Sequence, residues 1–244
     1  ECLDSLISQT YDNLQIVLVD DGSPDGCLDI MTAYARHDSR IEIVRQPNKG
    51  VAAARNAGVA EARGTYLMFA DPDDVMNPEA VATHVESLER TRSDFSVAPY
   101  RRFSQAGHWP AGWWITRAHA ARHERILVTD HPDIQVNAVV WSKCFRRRFW
   151  QQRQISFPEG VLYEDQHVSS RSYAVGRFDV LTKPIYGWRV RENQSSITQQ
   201  IACPAGLRER LGGAPTAPPP LSPPPPKETR DARPGPNPQH HLHR

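Results

Sequence analysis

The sequence predicts an α/β domain, a mostly parallel sheet with helices on both faces. Three observations lead there. Short apolar runs alternate with helix-length stretches between Leu14 and Arg90. Each run is followed by punctuation rich in Gly, Asp or Pro. The resulting β–loop–α units come in succession, and such crossovers bring the next strand back parallel to the last.

In chain order, Glu1 to Gln9 reads as a helix with Leu3, Leu6 and Ile7 on one face. Leu14 to Val19 is a buried strand, and the turn Gly22-Ser23-Pro24-Asp25-Gly26 leads into a helix from Cys27 to Arg36. Ile41 to Val44 is the second strand. Val51 to Arg63 is Ala-rich and helical, with Gly64 placed to cap its C-terminus. Tyr66 to Ala70 is the third strand, and Pro78 suits the first position of a helix reaching about Arg90. A doubly wound sheet that opens on a helix is expected to lack the strand before it, so the chain reads as N-terminally truncated. Beyond residue 91 the pattern is less regular. The run Arg146-Arg147-Arg148 reads first as a solvated helix face, with a phosphate or membrane contact as the alternative.

Composition sets limits. Among 244 residues, 29 Lys and Arg balance 28 Asp and Glu, for a net charge of +1. That argues against a nucleic-acid partner. The cysteines Cys2, Cys27, Cys144 and Cys203 are scattered without metal-finger spacing, as in a reduced compartment. No apolar run approaches the roughly 20 residues that cross a bilayer. A cytoplasmic protein is expected, with peripheral association at the inner face of the membrane left open. Near Ile201 to Pro204 the composition changes to Pro-rich and then His-rich sequence with little to bury. Residues 1–200 therefore read as one domain and 201–244 as a disordered tail.

Four clusters sit where strands end or helices begin. Asp20-Asp21-Gly22-Ser23 follows the first strand, where a carboxylate can accept hydrogen bonds from a base or ribose, or simply cap the next helix. Asn48-Lys49-Gly50 opens the Ala-rich helix and offers a cation near a phosphate or base, or only a packing loop. Asp71-Pro72-Asp73-Asp74 follows the third strand; carboxylates this close repel unless compensated, and a pair spaced by one residue can share Mg²⁺ or Mn²⁺ with phosphate oxygens. A solvated, helix-capping turn is the other reading. In Phe157 to Asp165 a turn leads to Glu164 and Asp165 at a helix start, suited to the helix dipole or to a general base.

The series VDDGS, NKGVAAARNAG, FADPDD and FPEGVLYEDQ resembles family 2 glycosyltransferases of the GT-A fold, over about residues 1 to 200. Ser8 to Tyr11 and Tyr186 to Arg191 are similar to further stretches of that family. The resemblance implies inverting transfer of a sugar from a nucleotide-diphosphate sugar, with Mg²⁺ or Mn²⁺, to a saccharide or polyol-phosphate acceptor in cell-surface polysaccharide or wall-polymer synthesis. It implies that Asp21 contacts the nucleobase with Asp20 beside it and Lys49 near, that Asp71 lies on the ribose side, and that Asp73 binds the metal. Asp165 would be the catalytic base supported by Glu164, with Arg189 and Arg191 facing the diphosphate or the acceptor. Trp109, Trp113 and Trp114 suit an acceptor-side loop or a helix packed on the sheet. One departure is the absence of the family's opening strand of the type VSVIIPxYN, which removes part of the donor site. A non-catalytic remnant is one alternative. Another is a module of a bifunctional, teichoic-acid-type glycosyl- and glycerophosphotransferase.

Overall fold

A computed structural model describes residues 1–191; the Pro-rich tail lies outside the described residues. The chain runs α1 (Cys2–Ile7), β1 (Ile16–Asp20), α2 (Cys27–His37), β2 (Ile41–Arg45), α3 (Val51–Glu61), β3 (Tyr66–Met68), β4 (Val75–Met76) and α4 (Ala80–Thr91). It continues through β5 (Phe95–Val97), β6 (Tyr100–Ser104), β7 (Gly107–Pro110), α5 (Trp113–Ala118), β8 (His123–Ile126), β9 (Lys143–Arg146), α6 (Arg147–Gln152), α7 (Glu164–Val175), β10 (Phe178–Val180) and β11 (Tyr186–Arg189).

The strands form three sheets. β1 and β2 pair in parallel, placing Asp20 opposite Arg45. A five-stranded sheet runs β3-β9-β5-β10-β8, and a four-stranded sheet runs β4-β11-β6-β7. The α/β class and the GT-A architecture expected from the sequence are those of the structure. Its sheets mix directions: β1–β2, β5–β10 and β6–β11 are parallel, while β3–β9, β5–β9, β8–β10, β4–β11 and β6–β7 are antiparallel. The reason is local. Helical crossovers in the first half keep β1 and β2 parallel, whereas Gln105 and Ala106 join β6 to β7 as a tight hairpin, which can only be antiparallel.

Boundaries differ at two turns. Gly64 is not the cap of α3, because the chain has already turned extended at Ala62 (φ −70°, ψ 126°). Pro78 sits in the turn before α4, whose N-cap is Glu79. The basic run is divided. Arg146 is buried at the end of β9, where its Nε donates to the Ser93 carbonyl (2.8 Å), and only Arg147 and Arg148 lie on α6.

Two apolar clusters hold the sheets. In the larger, the fully buried Phe95 stacks on Phe145 (5.5 Å between centroids) and Phe178 (5.1 Å), and meets Tyr173 edge-on (5.5 Å). These rings tie β5, β9, β10 and α7 together. In the smaller, Trp141 stacks on Tyr186 at 4.3 Å and meets Tyr100 edge-on at 4.7 Å. A buried polar node lies between the strands and α7. Lys143 Nζ donates to the carbonyls of Asn137 (2.8 Å) and Val139 (2.6 Å), beside the Tyr173 ring, and burial pushes its pKa down to about 7. Among the described residues no helix is long and apolar enough to cross a membrane.

Because Phe95 joins four elements through ring contacts, Phe95→Ala is expected to cost about 3–5 kcal/mol of unfolding free energy, and Phe95→Leu distinctly less. Urea denaturation of both variants measures the difference.

Candidate active site

The acidic clusters are brought together by one cation that the sequence reading did not single out. Arg55, on α3, has a side chain only 13% exposed. Its Nη2 binds Asp71 Oδ1 at 2.6 Å, and its Nη1 forms an ion pair with Glu164 Oε1. The guanidinium also lies over the Phe157 ring, 5.4 Å from the centroid. Burial opposes its charge, but Asp71 and Glu164 outweigh that and raise its pKa. The next residue completes the link: Asn56 Nδ2 donates to the Phe157 carbonyl and Asn56 Oδ1 accepts the Phe157 N–H, both at 2.9 Å. Thus α3 fixes the entry to α7, where Glu164 and Asp165 occupy the first turn.

Asp165 is half-buried. Desolvation, then the neighbouring Glu164 charge, pushes its pKa up to about 6, against the opposing pull of Arg55. Glu164 is committed to Arg55. The paired acids are therefore unequal: one is held in an ion pair, and the other is poised to exchange a proton near neutral pH.

In the Asp71 turn the three carboxylates take different roles. The Asp71 backbone N–H donates to the Tyr186 hydroxyl (2.9 Å), so the smaller aromatic cluster sets its position. Asp73 Oδ2 is paired with Arg191 (Nη2 at 2.7 Å, Nε at 2.9 Å), and the Asp73 carbonyl accepts from Arg189 Nε (2.6 Å). Arg189 also pairs with Glu1 and lies over Phe103, 4.4 Å from its centroid. Asp74 is 1% exposed; its Oδ1 accepts the Arg189 N–H at 2.8 Å. Burial, reinforced by the charges of Asp71 and Asp73, raises the Asp74 pKa to about 7 against the pull of that bond. This carboxyl anchors the turn to β11.

The first two clusters form one loop pair at the carboxyl ends of β1 and β2. Asp20 is buried, with Oδ1 accepting the Ser23 N–H (3.0 Å) and Oδ2 3.8 Å from Arg45 Nε. Asp21 Oδ1 accepts from Gln46 Nε2 (2.7 Å) and the Lys49 N–H (2.9 Å), and Oδ2 from the Gly50 N–H (2.8 Å). Burial pushes the Asp21 pKa up, but these bonds prevail and hold it below the ordinary carboxylate value. Lys49 contributes its backbone here, and its side chain is exposed. Gly22 (φ +71°) is required by contact: a Cβ there would lie 2.8 Å from the Asn48 nitrogen. Beside the pair is an open cleft of about 410 Å³ lined by Asp20, Gly22, Ser23, Arg45, Gln46 and Pro47.

Among the described residues no three His, Cys, Asp or Glu side chains converge to hold a metal ion alone. The donor chemistry nonetheless fits Mg²⁺ or Mn²⁺, which are often held by one or two carboxylates with substrate phosphates completing the shell. Asp73, partly exposed, has the chemistry of such a donor, and its Arg191 partner would have to yield to a metal.

A parallel β1–β2 pair thus carries acidic loops at its carboxyl edge, and a buried arginine couples the Asp71 turn to the Glu164–Asp165 pair. The family model for glycosyl transferase family 2 matches residues 1–182, and the chain belongs to that family. It is 32% identical to the putative glycosyltransferase EpsH of Bacillus subtilis over 207 residues, 82% of this chain and 58% of EpsH. It is 38% identical to the uncharacterized glycosyltransferase YibD of Escherichia coli over 180 residues, 67% of this chain and 49% of YibD. The chain thus spans about half the length of these relatives. In fold it matches residues 1–349 of S. aureus TarS, solved in complex with UDP-GlcNAc, with a TM-score of 0.70 at 23% identity over 83% of this chain and 56% of that one.

Arg55→Met leaves Asp71 and Glu164 without their shared cation, and the expected loss is about 3 kcal/mol or more of stability. Arg55→Lys, which keeps the charge but cannot bridge two carboxylates with a fork, should lose less. Chemical denaturation of the two variants compares them.

Proposed function

We propose that the domain transfers a sugar, with inversion, from a nucleotide-diphosphate sugar to an acceptor hydroxyl. The observation that carries this reading is the Arg55 bridge, which sets the Asp71 turn and the Glu164–Asp165 pair on one buried cation. A donor-binding turn and a base must be neighbours if a hydroxyl is to attack the sugar carbon opposite the departing diphosphate.

In this scheme Asp20, Asp21 and Lys49 receive the nucleobase, with Asp71 towards the ribose. Asp73 would hold Mg²⁺ or Mn²⁺, and the ion when bound would supply neutralisation of the charge that collects on the leaving group. Arg191, released from Asp73, and Arg189 add positive charge on the same side. Asp165 accepts the acceptor hydroxyl proton as the oxygen bonds to the anomeric carbon and the bond to the diphosphate breaks. Glu164, fixed by Arg55, orients the start of α7 and keeps Asp165 basic enough for this task. UDP-sugars are the donors to test first, since the TarS fold relative was solved with UDP-GlcNAc. The acceptor in this reading is a saccharide or polyol phosphate in cell-surface or wall-polymer synthesis, met at the cytoplasmic face of the membrane; family membership supports the glycosyl transfer itself.

Isothermal titration of UDP-GlcNAc and other nucleotide sugars, with and without Mn²⁺, tests the donor site. Metal-dependent binding that disappears in Asp73→Ala is expected, and metal-independent or unchanged binding would count against the assignment. For the chemical step, Asp165→Asn should lower kcat by about 10²–10⁴-fold while leaving donor affinity largely intact. The pH dependence follows from the raised pKa. Below about pH 6 Asp165 gains a proton and cannot accept another, so kcat/KM should fall as the solution is made more acidic through that value. A pH–rate profile without this acidic limb would remove Asp165 from the role of base.

A further inference from the structure

The acidic loops lie at the carboxyl ends of β1 and β3, and a different chemistry lies at the other end of β3. Thr65 precedes that strand and Arg146 ends its antiparallel neighbour β9, so both fall on the amino edge of β3. There Thr65, Arg146, Arg147, Arg148 and Gln151 line a cleft of about 200 Å³. Thr65 and Asp71 flank β3 at opposite ends, and no residue of the candidate active site lines the cleft, so the two are distinct.

The three arginines differ in what they have left to give. Arg146 is spent: Nε and Nη2 bond the Ser93 and Leu88 carbonyls, Nη1 lies 3.7 Å from Glu89, and the group sits over Tyr66. It is a fixed, buried charge forming one wall. Among the described residues Arg147 uses only Nε, on the Gly64 carbonyl (2.6 Å), and its backbone N–H on the Thr65 carbonyl (2.8 Å). Those bonds aim the guanidinium while both Nη groups keep their donors. Arg148 is exposed and makes no hydrogen bond or ion pair among the described residues. Glu89, which pairs with Arg146 of the cleft wall, is also engaged by Arg92 and the Tyr66 hydroxyl. Asp94, further along the same edge, accepts the Arg177 N–H. The cleft therefore carries an excess of positive charge, with forked donors and two neutral polar side chains, Thr65 and Gln151, and no acid in its lining.

We propose that this cleft is a phosphate-group binding site, in which Arg147 and Arg148 donate to the oxyanion and Thr65 and Gln151 complete its hydrogen bonds. The chemistry suits a phosphate monoester or diester. Guanidinium forks match phosphate oxygens in pairs, and 200 Å³ equals roughly seven waters' share of liquid volume, room for one phosphate and part of its shell. The net charge of the whole chain is only +1, so the attraction is local to this edge and not a general property of the surface.

The test is a titration of the full chain with inorganic phosphate, following the arginine Nε–H signals by NMR against chloride at matched ionic strength. A saturable shift with phosphate alone is expected. Arg148→Gln should weaken it by about tenfold or more, the factor associated with losing a charge-assisted hydrogen bond. Since Arg148 makes no hydrogen bond or ion pair among the described residues, that variant should keep the parent denaturation midpoint, which separates lost binding from lost folding. Arg147→Lys, which retains charge without the fork, should weaken binding to a smaller degree. Two further probes identify where such a phosphate comes from. Binding to phosphatidylglycerol vesicles that inorganic phosphate displaces assigns it to a lipid headgroup; saturation by glycerol 3-phosphate without vesicle binding assigns it to a soluble or polymer-borne ester. Either supports the site. Shifts that chloride reproduces, or that persist undiminished in Arg148→Gln, overturn it.

Discussion

The site depends on how the chain neutralises carboxylates that it has drawn together. Asp71, Glu164 and Asp165 come from segments almost a hundred residues apart, and unopposed they would repel one another in a partly dehydrated pocket. Arg55 answers that repulsion with one planar cation whose two arms reach two of the acids. The guanidinium cannot shed its proton at any ordinary pH, so the solution holds throughout the range in which the neighbouring acids titrate. It also sorts the acid pair, because Glu164 is taken up in the ion pair while burial and the Glu164 charge raise the pKa of Asp165 beside it.

Around that cation the scaffold works by short, directed links. Asn56 clamps the backbone at Phe157, Asp74 ties its turn to β11, and Asp21 collects three donors that bind the β1 loop to the start of α3. By type alone, each of these carboxylates or amides resembles a ligand-binding group. Several are occupied in holding loops to loops, and the groups left to meet a ligand are correspondingly few.

The first half of the fold was legible because its elements are local. The apolar runs at Leu14–Val19 and Ile41–Val44 and the helices between them appear within a residue or two of where periodicity puts them. The mixed directions of the sheets were not legible, since pairing such as β3 with β9 joins residues nearly eighty positions apart, and no local signal encodes it. The same distinction applies at the site. Clusters contiguous in sequence, such as Asp71 to Asp74, announce themselves. Arg55 stands alone among small residues, and its importance arises only when α3 and α7 meet. A hint was present, since an arginine on an Ala-rich, buried helix has to find acids or escape to water. The resemblance sets Arg189 and Arg191 facing the diphosphate or the acceptor, and their attachment to the Asp73–Asp74 turn arises only through the β4–β11 pairing.

Tyr186 belongs to both worlds: its ring is stacked on Trp141 in the smaller core cluster, and its hydroxyl holds the backbone of Asp71. Core residues elsewhere can drift among shapes of similar volume with little effect beyond stability. Here drift is constrained twice, because a ring that packs equally well but lacks the hydroxyl, as phenylalanine does, would keep the core and release the turn. The evolutionary freedom to retune this pocket is therefore coupled to the interior of the four-stranded sheet, and changes of specificity that reposition the Asp71 turn have to be accommodated by repacking around Trp141.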